Sequence, residues 1–154
     1  MSSRRRFLVS CVTLAGTSLL LPAGAARAQT RAAVTRTALL REVTGGAAVN
    51  MGRVTVDTPT LADNGHSVPV RVVVDSLMTA ADYVQSITIL AERNPRPIVA
   101  TFTLGPLSGR AEIATRIRLA DIQDVLAVAR LSDGSWWMGG ARVIVTELAC
   151  LEDS

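Results

Sequence analysis

Valines at 68, 70, 72 and 74 alternate with Pro69, Arg71 and Val73, which places four apolar side chains on one face of an extended segment. The same two-residue period recurs at 86–92 through Ile87, Ile89 and Ala91. It appears again at 112–119, where Ile113, Thr115, Ile117 and Leu119 share one side and Arg116 and Arg118 the other. Shorter apolar runs at 53–57, 98–104, 124–131, 136–138 and 142–148 complete the series. Turn-forming groups separate them: Thr58-Pro59, Asp63-Asn64-Gly65, the Asn-Pro-Arg-Pro of 94–97, and Asp133-Gly134. Pro69 confines its strand to an edge or its residue to a strand start. Gly139-Gly140 predicts a tight turn that makes a last hairpin of 136–138 and 142–148. Trp136 and Trp137, on adjacent positions, predict one core ring and one exposed ring.

Helical spacing appears once, at 32–43, through Val34, Ala38, Leu39 and Val43, with Gly45-Gly46 as its stop. That segment is expected against an edge or end of the domain. About seven short strands with little helix predict an all-β sandwich with one core. The expected organisation is a leader at 1–28, a helical segment at 29–48, a sandwich at 49–148 and an arm at 149–154.

The first residues are of a different kind. A basic stretch holding Arg4 and Arg5 precedes Phe7-Leu8, an apolar run continues to Pro22, and Ala26-x-Ala28 supplies the small residues of a cleavage site. A short apolar segment with these flanks reads as a removable export signal rather than a membrane span. The paired arginines point to the twin-arginine route, which carries folded proteins, and hence to a periplasmic protein without a membrane anchor after cleavage. Leu8-Val9-Ser10-Cys11 also resembles a lipoprotein processing box, although most of its apolar residues follow the cysteine instead of preceding it.

Export changes the charge balance. All sixteen basic residues are arginine; four leave with residues 1–28 and no acid does, so twelve face thirteen acids, a net charge near −1. Bulk charge therefore offers nothing to a nucleic acid or a membrane surface.

Cleavage also removes Cys11 and leaves Cys150 as the single cysteine of the mature chain. An odd cysteine in an oxidising compartment implies intermolecular pairing or a thiol that is used. Metal chemistry lacks ligands, because one cysteine, His66 and scattered carboxylates do not make a zinc set. No phosphate loop or nucleophile elbow is present, so no cofactor and no catalytic residue is assigned. His66 reads as a solvated residue beside a turn, and Arg116 with Arg118 as a solvated face.

Ala62-Asp63-Asn64-Gly65, Val68-Pro69-Val70, the Glu-Arg-Asn-Pro-Arg-Pro of 92–97, the Ala-Thr-Arg-Ile-Arg of 114–118 and the ending that leads into Cys150 together resemble the SoxY family of sulfur carriers of periplasmic thiosulfate oxidation. The resemblance implies an immunoglobulin-like sandwich and a heterodimer with a SoxZ-like sandwich protein. It also implies a sulfur-containing group held covalently on Cys150 and presented to periplasmic sulfur-oxidation enzymes, the chain itself not being an enzyme.

The arm departs from the family's Gly-Gly-Cys-Gly-Gly. Leu148, Ala149, Leu151 and Glu152 flank Cys150, closer to a related subgroup whose arm reads Ala-Ala-Cys-Ile-Glu. Bulky leucines make an arm stiffer and wider than glycines do. Glu147, Glu152 and Asp153 disfavour a thiolate and repel an anion. A second reading therefore stands beside the first: a non-catalytic protein whose arm docks into a periplasmic partner through Leu148 and Leu151, or forms a mixed disulfide with it. A disulfide-linked homodimer through Cys150 also remains open.

Overall fold

The computed structural model describes residues 35–147. Arg4, Arg5, Cys11, Ala26 and Ala28 of the expected signal lie outside them, as do Leu148, Ala149, Cys150, Leu151 and Glu152 of the arm.

The described residues form one helix, α1 (Arg36–Thr44), and nine strands: β1 (Val49–Met51), β2 (Val54–Asp57), β3 (Leu61–Asn64), β4 (Val68–Val74), β5 (Val84–Ala91), β6 (Ile98–Thr103), β7 (Glu112–Ile117), β8 (Gln123–Leu131) and β9 (Trp136–Glu147). A single 3-10 turn, Pro106–Ser108, lies between β6 and β7. The strands make an immunoglobulin-like sandwich of two sheets. The larger runs β1-β9-β8-β5-β6, with β3 also paired to β9, and the smaller runs β2-β4-β7.

The alternation read from the sequence sets the two facing layers. Val68, Val70, Val72 and Val74 of β4 point inward beside Ile113 and Ile117 of β7, and pack on Ile87, Ile89, Val125, Ala127 and Val143 of the larger sheet. Arg71, Glu112 and Arg116 point outward, and Arg71 Nε donates to Glu112 at 2.7 Å. Each fully buried Val or Ile contributes about 1.5–3 kcal/mol, so this layer supplies most of the driving force for closure.

The helix begins later than the 32–43 spacing predicts. Thr35 is extended (φ −66°, ψ 144°), and its hydroxyl accepts from the N–H of Ala38 at 3.4 Å. Gly45, at φ 66°, ends the helix as expected. The helix lies on the outer face of the larger sheet, not at an edge or end. Leu39 is fully buried there against Leu90, Leu126, Val128 and Met138, so β5 and β8 are covered on both sides. Arg36 fastens the first turn, donating to Glu92 and to Asp124 at 2.9 Å, while Arg142 reaches Asp124 at 3.2 Å.

The expected last hairpin is absent. Gly139 and Gly140 lie inside one continuous strand, β9, and the reversal before it is at Asp133-Gly134, where Gly134 has φ 83°. The glycines serve close approach instead of turning. A Cβ on Gly139 would sit 2.0 Å from the carbonyl oxygen of Val54, the first residue of β2, just after the chain crosses from the larger sheet to the smaller one. A Cβ on Gly140 would meet Leu126 Cδ2 at 2.5 Å. The crossing itself is made at Gly52 (φ 103°) and Arg53 (φ 52°).

The two tryptophans correct a second expectation, because neither ring is exposed. Both are half-buried, Trp137 against the main core and Trp136 against the helix layer. Arg53 and Arg130 lie 5.3 Å and 5.6 Å above their respective rings.

Candidate functional site: the mount of the C-terminal arm

The first eight residues of β9 pair with β8, from Trp136 opposite Arg130 to Val143 opposite Gln123. Beyond Val143, β8 has not yet begun. The last four residues are held by β3, which runs parallel: Leu61 faces Ile144, Ala62 faces Val145 and Asn64 faces Glu147. Ile144 N–H donates to Thr60 O at 2.8 Å, and the Thr146 hydroxyl lies against the carbonyl oxygens of Ala62 and Asp63. Val143 and Val145 remain in the core. The strand is therefore rooted by its inward side chains while its backbone exchanges β8 for β3 as its neighbour.

β3 ends at Asn64, opposite Glu147, and the chain turns directly after it. Asn64 Oδ1 accepts from the N–H of His66 at 3.1 Å, an Asx turn, and neither Asn64 nor Gly65 has positive φ. The expected Asn-Gly turn is present, but the asparagine side chain closes it and no left-handed glycine is involved. His66 is exposed, as its place beside the turn suggested, and makes no side-chain hydrogen bond among the described residues. Arg116 and Arg118 are also exposed. Arg116 Nη1 donates to Ser67 Oγ at 3.2 Å, and among the described residues neither arginine pairs with a carboxylate.

A polar network that sequence reasoning missed braces the rim. Asn94, read only as part of a turn, donates to Arg118 O at 2.7 Å and accepts from Ala120 N at 2.9 Å and Gln123 Nε2 at 3.0 Å. Gln123 is 2% exposed, and its Oε1 accepts from Arg93 N at 2.9 Å. Leu119 N–H donates to Gly65 O at 2.8 Å, tying these loops to the turn after β3. Arg93 pairs with Asp121 at 2.7 Å, and that guanidinium holds the Asp121 carboxyl below its usual range. Every buried side-chain polar atom among the described residues has a partner. The signal in the sequence was a polar Gln opening the otherwise apolar row of alternate residues Val125, Ala127, Ala129 and Leu131.

These loops make a rigid mount without reactive chemistry of their own. Among the described residues no group of three or more His, Cys, Asp or Glu could hold a metal ion, and no helix is long and apolar enough to cross a membrane.

Comparison with known proteins agrees with this architecture. The family described as "Sulfur oxidation protein SoxY" matches residues 40–150. The solved sulfur carrier protein SoxY from Chlorobium limicola f thiosulfatophilum is 24% identical, with a TM-score of 0.60 over 70% of this chain and 93% of that one. Superoxide reductase (neelaredoxin) from Ignicoccus hospitalis, 15% identical, superposes with a TM-score of 0.54 over 61% of this chain and 80% of its own. A putative superoxide reductase from Thermotoga maritima, 14% identical, gives 0.52 over 64% and 87%. The reductases share the sandwich alone. Among curated proteins there is no match.

Proposed function

The chain belongs to the SoxY family, one of sulfur carriers and not of catalysts, and from that premise we propose that it is a periplasmic carrier holding a sulfur-containing intermediate covalently on Cys150. The observation that carries the proposal is the course of β9. It is anchored in the core as far as Val145 and paired with β3 as far as Glu147, and Cys150 follows three residues later in the sequence. Three residues reach at most roughly 10 Å, so a thiol at Cys150 is held on a short tether from that root. Such a thiol enters another protein's site without the carrier unfolding. The family match extending to residue 150 supports the same assignment.

In this reading residues 1–28 direct export of the folded chain by the twin-arginine route, with Arg4 and Arg5 as the paired arginines and cleavage after Ala28. A SoxZ-like sandwich protein is exported with it, and sulfur-oxidation enzymes act in turn on the Cys150-bound group, thiosulfate being the first substrate to test. Leu148, Ala149, Leu151 and Glu152 shape the arm to its partners' channels.

The test is intact-mass spectrometry of the mature protein isolated from thiosulfate-fed periplasm with any partner attached. An adduct that reductant removes and that maps to Cys150, and that Cys150→Ala abolishes, is the expected outcome. A free thiol under those conditions overturns the carrier. Loss of partner binding in Leu148→Gly/Leu151→Gly would then favour the docking arm.

A further inference from the structure

The larger sheet has two sides, and only one is blunted. On the β9 side the edge is split between β1, three residues, and β3, four residues with Asp63. In the smaller sheet β2 ends in Asp57, and β7 carries Glu112 and Arg116. Short strands and charges of this kind discourage strand addition. β6 has neither defence. From Ile98 to Leu107 there is no charged residue and, before Pro106, no proline. No described strand pairs with its outer edge.

The register shows which groups are open. Leu104 N–H donates to Gln85 O at 2.9 Å, Phe102 lies opposite Ile87, and Ala100 opposite Ile89. Bonds to β5 therefore fall on residues 100, 102 and 104, and the backbone groups of Thr101 and Thr103 point away from the sheet. An irregularity near Ile89 and Leu90 leaves Val99 bulged, so the regular part of this edge is 100–103. The three-stranded layer is also too narrow to cover β6. Phe102, Val99 and Leu104 touch the core yet remain only half-buried.

We propose that β6 pairs with the β6 of a second copy of this chain, antiparallel about a twofold axis through Phe102, joining two larger sheets into one. In that register Thr101 of each copy faces Thr103 of the other, and both pairs exchange their N–H···O bonds. The two Phe102 residues form the close pair between them, on the face that is half-covered in the single molecule. Aromatic and threonine cross-strand pairs are among the favourable ones. Charge singles out a second copy as occupant: a twofold sets any edge charge near its own copy, and this is the longest edge that brings no charge to that meeting.

The experiment is sedimentation of the processed chain carrying Cys150→Ser, so that no disulfide contributes, over a range of concentrations. The expected result is a reversible dimer in which the Thr103 amide exchanges more slowly as concentration rises. Thr103→Lys places a charge on the edge, and Thr103→Pro removes the outward N–H. Each should weaken the dimer at least tenfold with circular dichroism unchanged. Thr101 is left alone because its hydroxyl lies 3.1 Å from that of Thr88. A monomer at every concentration overturns the proposal, as does a dimer indifferent to both substitutions. Slow Thr103 exchange in a monomer would give the edge to a segment of the same chain. Loss of SoxZ-like partner binding in Thr103→Lys, with no self-association in the parent, would give it to that partner.

Discussion

The two parts of β9 are built on opposite plans. From Trp136 to Val143 the strand is gripped by β8, with β1 beside its first residues, and its glycines let the β2 backbone come within contact of its own. From Ile144 to Glu147 it keeps one neighbour, β3, and a threonine side chain does part of the holding. Fixing the first part gives the second a defined origin and direction. A carrier arm needs both, since a tether swinging from a loose root would present its thiol in no preferred place.

Breaking the anchored part should have the largest effect. Gly139→Ala drives a Cβ into the Val54 carbonyl, a backbone atom that cannot rotate away, and is expected to cost more than about 3 kcal/mol in urea unfolding. A loss under about 1 kcal/mol would mean that β2 can retreat and that the close approach is incidental.

Loosening the released part should cost less and act locally. Thr146→Val removes the hydroxyl's bonds to the β3 carbonyls, worth about 1 kcal/mol. Amide exchange should quicken at 144–147 and stay unchanged at 136–143. Uniform quickening along β9 would erase the distinction between its parts.

The smallest effect concerns the ion pairs that fasten α1 over the anchored part. Arg36, and less strongly Arg142, hold the Asp124 carboxyl below its ordinary value, while Glu92 first and Asp124 second raise Arg36. A depressed carboxyl stabilises the fold above its unfolded value near 4, and the contribution is lost as pH falls through the folded value. Thermal stability should hold level from about pH 7 to 5 and decline below about 4. Asp124→Asn should lower the plateau slightly and soften the decline. The change is small because the Arg36 and Asp124 side chains are 44% and 31% exposed. A loss of stability above neutral pH instead would point to other groups.

The inner valines of β4 and the outward Arg116 of β7 were legible because a two-residue period is a local signal. Gly139-Gly140 was misread because glycine at a turn and glycine beneath a crossing backbone look alike in sequence; only the position of Val54, more than eighty residues earlier, separates them. β1 was missed because Val-Asn-Met is too short to show a period. The seat of the helix was hidden because Leu90, Leu126 and Val128 face outward from β5 and β8, where a sandwich strand would ordinarily turn polar residues. At the mount, residue type marked out the Asn64 turn. The bracing by Asn94 and Gln123 was not readable, since it joins loops about thirty residues apart through side-chain amides.

The pairing of β9 with β1 and β3 also bears on how the molecule comes into being. Val49 waits for Trp136 and Leu61 for Ile144, so two early strands have no sheet to join until the last one arrives. Contacts so distant in sequence slow folding, and local structure offers little relief here, with one nine-residue helix. The strand that finishes the sheet is the strand that leads on in sequence to Cys150. Under the proposed function, a molecule able to offer that thiol is one whose folding has already been completed.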